Sequence, residues 1–474
     1  MEMDILSQKV DAFLKENRNA IIEHIKRLVD VESVSAPNAG PHPFGEGCAK
    51  VLDIALGIGH DLGFDTENYE YCCGSIRCGG QDKEIGFFTH LDVVPASGKW
   101  EHAPFSAEQA DGYLFGRGTL DDKGPAIIAL YTMKCLRDLG IMEHHALRLV
   151  MGCNEENGMN DLITYKEHIS ALPEFSIIAD GQFPVCYAEK GCLGFTIKHP
   201  LSSRCVQDIA GGEVPNVVPA MAKATLKNIP SAQALQALAP FPVTATVTED
   251  GTIEVEATGI ASHAAKPEGS RNAISVLLNA LGKSGIASED SSVFLHAAGY
   301  LNDYYGESID VKITDQHTGR LTHVACMCWI TENWELALNF NVRYPACITH
   351  TQIIESVTAL VAQNGFSVDE VVDSAPIYIS PTSPIVQAMT EIYNEIAQDE
   401  ATPYYEGSIT YARIIPNSFT YGPHFPAASA KASNQQGKEH MPDECIYIDD
   451  VLSAIKIYVF AVQRIDHILP LANQ

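Results

Sequence analysis

Positive charge is scarce in this sequence of 474 residues, where 31 lysines and arginines face 60 acidic side chains. The resulting formal net charge of −29 would repel a nucleic-acid backbone and an anionic membrane surface alike. Long apolar runs are also lacking, because no stretch of the sequence approaches the ~18 residues that a membrane-spanning helix needs. The composition therefore predicts a protein whose partners include neither nucleic acid nor a membrane.

The N-terminus lacks the basic start and continuous apolar core of a secretory signal peptide. The 13 cysteines are odd in number and scattered, and several lie in apolar runs such as Cys326-Met327-Cys328, where a thiol behaves as a small buried hydrophobe. Cys72, Cys73 and Cys78 are a candidate soft-metal site, but no second pair completes such a set. We therefore expect reduced thiols and a cytoplasmic protein.

The length exceeds a single core of ~100–150 residues, so at least two packed units are expected. Apolar spacing predicts helices over residues 8–31 and 124–140 and strands over 84–90, 145–153 and 175–180. This alternation predicts an α/β fold. From about residue 192 the pattern changes to strands over 242–249 and 252–257 and a helix over 272–281, which indicates an α+β insertion. Helices over 385–396 and 446–465 follow.

Four acidic or histidine-bearing sites lie where ligands of α/β proteins are expected, in loops that leave the carboxyl ends of predicted strands. They are His90 with Asp92, Asp121 with Asp122, Glu155 with Glu156, and Asp180. Taken singly, each has an ordinary explanation as a surface pair, a helix cap, solvated charge or an Asp-Gly turn. Together with the late His440, they make the ligand set of a two-metal hydrolase.

These segments resemble those of the aminoacylase and glutamate-carboxypeptidase family of two-zinc metallopeptidases, and in particular its PepV-type dipeptidases. The resemblance covers nearly the whole chain and is strongest at residues 89–95, 116–125, 153–158, 180–191 and 440–444. It implies a two-zinc aminopeptidase-like catalytic domain, a mixed sheet flanked by helices, formed by residues 1–191 and 381–474. It further implies an α+β lid domain inserted at residues 192–380.

The resemblance also implies which residues hold the metals. Asp121 would bridge two zinc ions, for which Mn²⁺ or Co²⁺ are alternatives. His90 and Asp180 would complete one site, and Glu156 and His440 the other.

The residues next to these ligands receive catalytic roles from the same resemblance. Asp92 would orient His90, and Glu155 would be the general base that takes a proton from the water and delivers it to the leaving amine. Of two consecutive glutamates on a turn, one can bind metal while its neighbour faces the substrate. Asn154 stands where the family usually has an acid, a departure expected to tune activity.

Four residues are expected to contact the substrate. The segment 259–269 is similar to the family's lid motif, which implies that His263 stabilises the oxyanion. Asn216 and Arg343 match substrate-binding lid positions of the family. A guanidinium can form two parallel hydrogen bonds with the free carboxylate of a peptide. The alternative for Arg343 is pairing with an acid on an exposed strand face. Gly407 begins a Gly-Ser-Ile sequence where the family has three glycines, which narrows the cradle for the substrate carboxylate.

The resemblance therefore implies a dipeptidase. The insertion at 192–380 is long enough for two lid halves, so the resemblance to PepV-type enzymes also implies a monomer in which His263 acts within its own chain. Two alternatives remain open, an N-acyl amino-acid deacylase with the same metals and a non-catalytic peptide-binding homologue. The presence of Glu155 argues against the latter, because a binding protein needs no base beside the ligands. A dinucleotide-binding protein is disfavoured, because no Gly-x-Gly-x-x-Gly follows the early strands.

Overall fold

A computed structural model describes residues 2–426 and 437–472 of the chain. The helices are α1 Glu2–Val29, α2 Glu46–Asp61, α3 Lys123–Leu139, α4 Asp161–His168, α5 Ser231–Leu238, α6 Ala273–Ser284, α7 Ser291–Gly299, α8 His350–Ala362, α9 Pro384–Ala397 and α10 Ile448–Ala472, with a short 3₁₀ helix at Tyr411–Arg413. Within the described ranges, every helix is too short or too polar to cross a lipid bilayer.

The strands are short and are distributed along most of the chain. In order they are β1 Asp65–Tyr69, β2 Cys73–Cys78, β3 Glu84–His90, β4 Glu108–Ala110, β5 Tyr113–Phe115, β6 Ala146–Gly152, β7 Phe175–Ile178, β8 Gly181–Gln182, β9 Val185–Glu189, β10 Gly191–Pro200, β11 Val206–Gly211, β12 Val217–Val218 and β13 Met221–Leu226. They continue as β14 Val243–Val247, β15 Ile253–Thr258, β16 Ser262–His263, β17 Thr314–Asp315, β18 Gly319–Arg320, β19 Thr322–Ile330, β20 Glu335–Tyr344, β21 Ser367–Ser374, β22 Ile377–Tyr378, β23 Tyr404–Glu406, β24 Ser418–Tyr421, β25 Pro423–His424 and β26 Cys445–Tyr447. The predicted α/β fold is confirmed.

The first of two compact units comprises residues 1–187, 379–404 and 410–474. Its mixed sheet has the strand order β1-β2-β6-β3-β7-β24-β9, in which β6, β3, β7 and β24 run parallel. Helices α1, α3 and α10 pack against one another beside it. The apolar stripe of α1 is buried, as its spacing predicts, and α3 ends at Gly140, whose positive φ of 64° suits a residue without a side chain.

The parallel strands of this sheet place their carboxyl ends at one edge. In β3, the side chains of Ile85, Phe87 and Phe88 are fully buried, so the strand is fixed between its neighbours β6 and β7. His90 is the last residue of β3 and pairs with Gly152, the last residue of β6. Loops that leave β3, β6 and β7 therefore meet at a common edge.

The second unit comprises residues 188–378 and 405–409. Its antiparallel sheet has the order β14-β15-β13-β11-β19-β20-β10-β21 and shares an apolar core with α6 and α7. Helix α6 begins after Asn272, whose side-chain oxygen accepts a hydrogen bond from the Ile274 N–H at 2.9 Å. The amide of Asn272 also donates to the Ala325 carbonyl oxygen at 2.7 Å, which ties this helix start to the sheet.

The segment Tyr405–Ile409 belongs to this second unit, whereas the predicted boundary placed it in the catalytic domain. The physical reason is a pair of hydrogen bonds. The Lys190 N–H donates to the Glu406 carbonyl oxygen, and the Arg343 guanidinium donates to the Gly407 carbonyl oxygen, each at 2.9 Å. Gly407 thus lies with the predicted lid residues.

Candidate metal centre

The predicted site residues of the first unit lie near the edge where the parallel strands end. His90 ends β3, Glu155 and Glu156 form the turn after β6, and Asp180 follows β7 by two residues. Asp121 lies just before α3, whose N-terminal cap is the next residue. Each of these side chains is therefore positioned by the end of a regular element.

Asp121 stands between the two histidines. One of its carboxylate oxygens is 2.9 Å from His90 Nε2 and the other is 3.0 Å from His440 Nε2. His440 Nε2 also lies 2.9 Å from Glu156 Oε1, and His90 Nε2 lies 4.0 Å from Asp180 Oδ2. The structure thus brings all five predicted ligands together, with the two oxygens of Asp121 facing the two histidines.

The donor atoms have the spacing that metal ligands require. Those of His90, Asp121 and Glu156 lie within 4.8 Å of one another, and so do those of His90, Glu155 and Asp180. Two ligands at about 2.0–2.2 Å from one tetrahedral zinc ion are separated by about 3.3–3.6 Å. The observed separations of 2.9 to 4.0 Å bracket that value. Imidazole nitrogens and carboxylate oxygens together suit zinc.

The electrostatics of the centre also favour cations. Burial raises the pKa of Glu155 well above its usual range, and the neighbouring Asp180 charge adds to this effect. Burial lowers the pKa of His440, but its hydrogen bonds with Asp121 and Glu156 outweigh burial and raise that pKa to about 11. Such crowding of carboxylates with low solvent access is costly unless positive charge compensates it. The residues therefore fit a pair of divalent ions.

Asp92 contacts both sides of the centre. Its two carboxylate oxygens accept hydrogen bonds from the Glu155 and Glu156 N–H groups, each at 3.1 Å. His90 Nδ1 is 2.9 Å from the main-chain oxygen of Asp92 and 3.4 Å from its carboxylate. A proton on Nδ1 donated to that carbonyl leaves Nε2 as the metal-binding atom. Asp92 can thus fix the His90 ring and the turn that carries the predicted base.

Glu444 supports the Asp121 loop and was not among the predicted site residues. Its fully buried carboxylate accepts hydrogen bonds from the Gly118, Leu120 and Asp121 N–H groups at 2.9 to 3.1 Å. Its other oxygen pairs with the buried Arg117 guanidinium at 2.5 Å. The nearness of Glu444 to His440 in sequence was the available signal, but its partners lie more than 300 residues away.

Asp161 supports the other loop and was also missed. Its carboxylate accepts hydrogen bonds from the Cys153 and Asn154 N–H groups at 2.7 and 2.8 Å and from the Tyr411 hydroxyl at 2.5 Å. Burial raises the pKa of Asp161 to about 6. The side chain of Asn154 donates to Ser35 Oγ at 2.9 Å and does not belong to either ligand group. These contacts fix the backbone just before Glu155.

The four predicted substrate-binding residues all lie in the second unit. His263 pairs with Val217 across β16 and β12, so it is adjacent to Asn216, whose carbonyl oxygen accepts a hydrogen bond from the Ala264 N–H at 2.8 Å. A side chain at Gly407 would meet Ala265, with a Cβ only 2.9 Å from that methyl group. The loop that carries His263 therefore lies against the Gly407 segment.

Arg343 is buried, with 4% of its surface exposed, and does not lie on an exposed strand face. Its guanidinium donates to the Asn341 side-chain oxygen at 3.0 Å and to the Gly407 carbonyl oxygen at 2.9 Å. The structure thus brings Arg343 and Gly407 into direct contact within this unit.

Known proteins are similar to this chain over nearly its full length. Protein YtjP of Bacillus subtilis (strain 168) is 27% identical over 478 residues, covering 98% of this chain and 99% of YtjP. The Beta-Ala-Xaa dipeptidase of Lactobacillus delbrueckii subsp. lactis is 27% identical over 470 residues, covering 94% of this chain and 96% of that protein. Human carnosine dipeptidase 1 shares the fold, with a TM-score of 0.59 at 15% identity, covering 98% of this chain and 99% of that structure.

A family profile covers most of the chain and all five candidate ligands. The profile of Peptidase family M20/M25/M40 matches residues 86–464, well over half of the chain. The chain therefore belongs to Peptidase family M20/M25/M40 and is a metallopeptidase.

Proposed function

We propose that this protein hydrolyses dipeptides at a centre of two divalent metal ions, with zinc as the expected metal and Mn²⁺ or Co²⁺ as alternatives. The observation that carries the proposal is Asp121, whose two oxygens face two different imidazoles within one carboxylate-rich cluster. Dipeptide substrates are proposed because relatives of nearly the same length include a Beta-Ala-Xaa dipeptidase.

In this proposal the ligands divide into two sets that share Asp121. His90 and Asp180 hold one ion, and Glu156 and His440 hold the other. When bound, the two ions supply a water of lowered pKa and polarise the carbonyl group of the scissile bond. Glu444 and Asp161 act through the loops they hold, because they bind the backbone on which Asp121 and Glu156 are carried.

Glu155 is the proposed general base. Its Oε1 atom is buried and has no hydrogen-bond partner among the described residues, while its main-chain N–H is held by Asp92. A carboxylate oxygen without a protein partner can accept a proton from the attacking water. The same carboxyl group then delivers that proton to the leaving amine, so no covalent enzyme intermediate is required.

Residues of the second unit are proposed to bind the substrate. Arg343 would bind the free carboxylate of the dipeptide together with backbone groups of the segment that begins at Gly407, and Asn216 would bind the substrate beside it. His263 would stabilise the oxyanion. Support comes from the second unit, where hydrogen bonds and close packing bring these residues into one neighbourhood.

The protein is proposed to act as a monomer in the cytoplasm. The long insertion supplies His263 and Arg343 within the same chain, so a partner subunit is not required to complete the site. The cytoplasmic location is supported by the sequence, in which 13 scattered cysteines do not suggest a disulfide framework.

A substrate panel tests the proposed function. The metal-loaded protein would be incubated with alanyl and β-alanyl dipeptides, their C-terminal amides, a tetrapeptide and N-acetyl amino acids, and released amino acid would be measured. We expect rapid cleavage of at least one dipeptide, far slower cleavage of its amide and no cleavage of the tetrapeptide. Comparable rates on dipeptide, amide and tetrapeptide would refute a dipeptidase, and preferential cleavage of the N-acetyl amino acids would establish a deacylase instead.

A further inference from the structure

A second group of metal-ligating side chains lies in the first unit and shares no residue with the catalytic centre. It consists of Glu143, His144 and His467, each of which offers one donor atom within 4.8 Å of the others. The rings of His144 and His467 have centroids 5.7 Å apart and are nearly perpendicular, at 83°. His144 Nε2 lies 3.9 Å from Glu143 Oε2. All three side chains are exposed.

The backbone beneath this cluster is fixed by Asp466. Its carboxylate, which is fully buried, accepts hydrogen bonds from three consecutive N–H groups, those of Glu143, His144 and His145, at 2.7 to 3.2 Å. It also bonds His145 Nδ1 at 2.8 Å. One residue of α10 therefore holds the three residues that precede β6, and the next residue of α10 is His467.

The geometry of α10 and of the loop before β6 allows the side chains of Glu143, His144 and His467 to face solvent side by side. On a helix, successive side chains are rotated by about 100°, so Asp466 can face the loop while His467 faces solvent. In the loop that leads into β6, His145 is buried and His144 is exposed. Because the backbone of both segments is fixed, little ordering is needed to bring the donors onto one ion.

We propose that Glu143, His144 and His467 bind one divalent transition-metal ion, such as Zn²⁺ or Ni²⁺. Two imidazole nitrogens and one carboxylate oxygen are a ligand set that such ions accept, whereas Ca²⁺ and Mg²⁺ prefer oxygen ligands alone. Three protein ligands leave a coordination position for water in this exposed site. The bound ion links the loop before β6 to the C-terminal part of α10, and this proposal is independent of the proposed dipeptidase activity.

Metal analysis of matched variants tests the site. The purified, untagged protein would be dialysed against buffer with a fixed micromolar concentration of free Zn²⁺, and bound zinc per chain would be measured by mass spectrometry. His144→Ala, His467→Ala and the double variant should each bind one zinc ion fewer than the wild type. Their peptidase rates should equal the wild-type rate. The readout is this difference, whatever number of ions the catalytic centre holds.

A control variant and a second probe make the result decisive. His60→Ala removes an exposed histidine that lies 3.8 Å from the Asp61 carboxylate and is in none of the candidate ligand groups of the described residues, so it should leave bound zinc unchanged. On a Ni²⁺-chelate resin, the wild type and His60→Ala should be retained, and the double variant should elute at a lower imidazole concentration. Unchanged zinc content in the double variant, or an equal loss in His60→Ala, would overturn the proposal.

Discussion

Glu444→Gln is the sharpest perturbation of the framework behind the metal centre, because it keeps the shape of the side chain and removes its charge. One carboxylate oxygen of Glu444 accepts hydrogen bonds from three backbone N–H groups, and the other accepts one from the Arg117 guanidinium. A glutamine amide has only one oxygen, so it can satisfy only one of these two sets. Its NH₂ group must face donors on the other side.

The magnitudes decide which way the amide turns. Glutamine is neutral, so the ion pair with Arg117 is lost in either orientation. If the NH₂ group also faces Arg117, the buried guanidinium has no acceptor there either, which costs about 3–5 kcal/mol. If it faces the backbone instead, three buried N–H groups lose their acceptor at about 1–3 kcal/mol each, or about 3–9 kcal/mol together. The first orientation is on balance less costly, so we expect a loss of about 3–5 kcal/mol in the stability of the Gly116–Asp121 loop.

Hydrogen exchange of the metal-loaded protein, followed by mass spectrometry, measures this loss at the loop itself. At about 1.4 kcal/mol per tenfold change, the amides of Gly118, Leu120 and Asp121 should exchange about 10²–10⁴-fold faster in Glu444→Gln. Adding Arg117→Met should restore much of the protection, because the unpaired cation is then gone. If the two substitutions were simply additive, the ion-pair reasoning would be refuted.

Three further predictions concern the catalytic centre. Asp121→Ala should lower bound metal by more than one ion per chain and abolish turnover, because in the proposed arrangement one carboxylate serves both sites. Retention of both ions with normal turnover would contradict the shared ligand. Glu155→Gln should keep its metals yet lose about 10²–10⁴-fold in turnover, the rate factor that a positioned proton-transfer group usually contributes. Glu156→Gln should instead lose metal. Equal metal loss in both variants would show that the two roles are not separate. Mixing His263→Ala with Glu155→Gln chains should restore no activity, and light scattering should give a monomer mass; recovered activity would mean that His263 acts across subunits.

The positions of the candidate ligands at strand ends could be predicted from the sequence, because a local pattern encodes them. A mostly apolar buried strand ends at His90, and another ends just before Asp180. The end of each apolar run therefore marks the residue at which the loop begins. The predicted strands over 84–90, 145–153 and 175–180 correspond to β3, β6 and β7. Once three strands are parallel, their loops share an edge, and the clustering of ligands follows from topology.

The supporting residues could not be predicted, because their partners are distant in sequence. Glu444 holds Asp121 across 323 residues, and Asp466 holds His144 across 322 residues. No periodicity marks such a carboxylate, since a buried acid and an exposed acid look alike in sequence. Helix α2 was missed for a related reason, because glycines in Glu46–Asp61 obscure its helical spacing and packing against the sheet stabilises it.

The order of strands in the first unit has a consequence for synthesis on the ribosome. Strand β24, residues Ser418–Tyr421, lies between β7 and β9, although both neighbours are translated more than 200 residues earlier. Until β24 emerges, β7 and the first residues of β9 have unpaired N–H and C=O groups, which are templates for aggregation. The antiparallel sheet from β10 to β21 is complete by Ser374. The inserted unit can therefore finish its sheet first, while the sheet of the first unit stays incomplete until β24 has been synthesised.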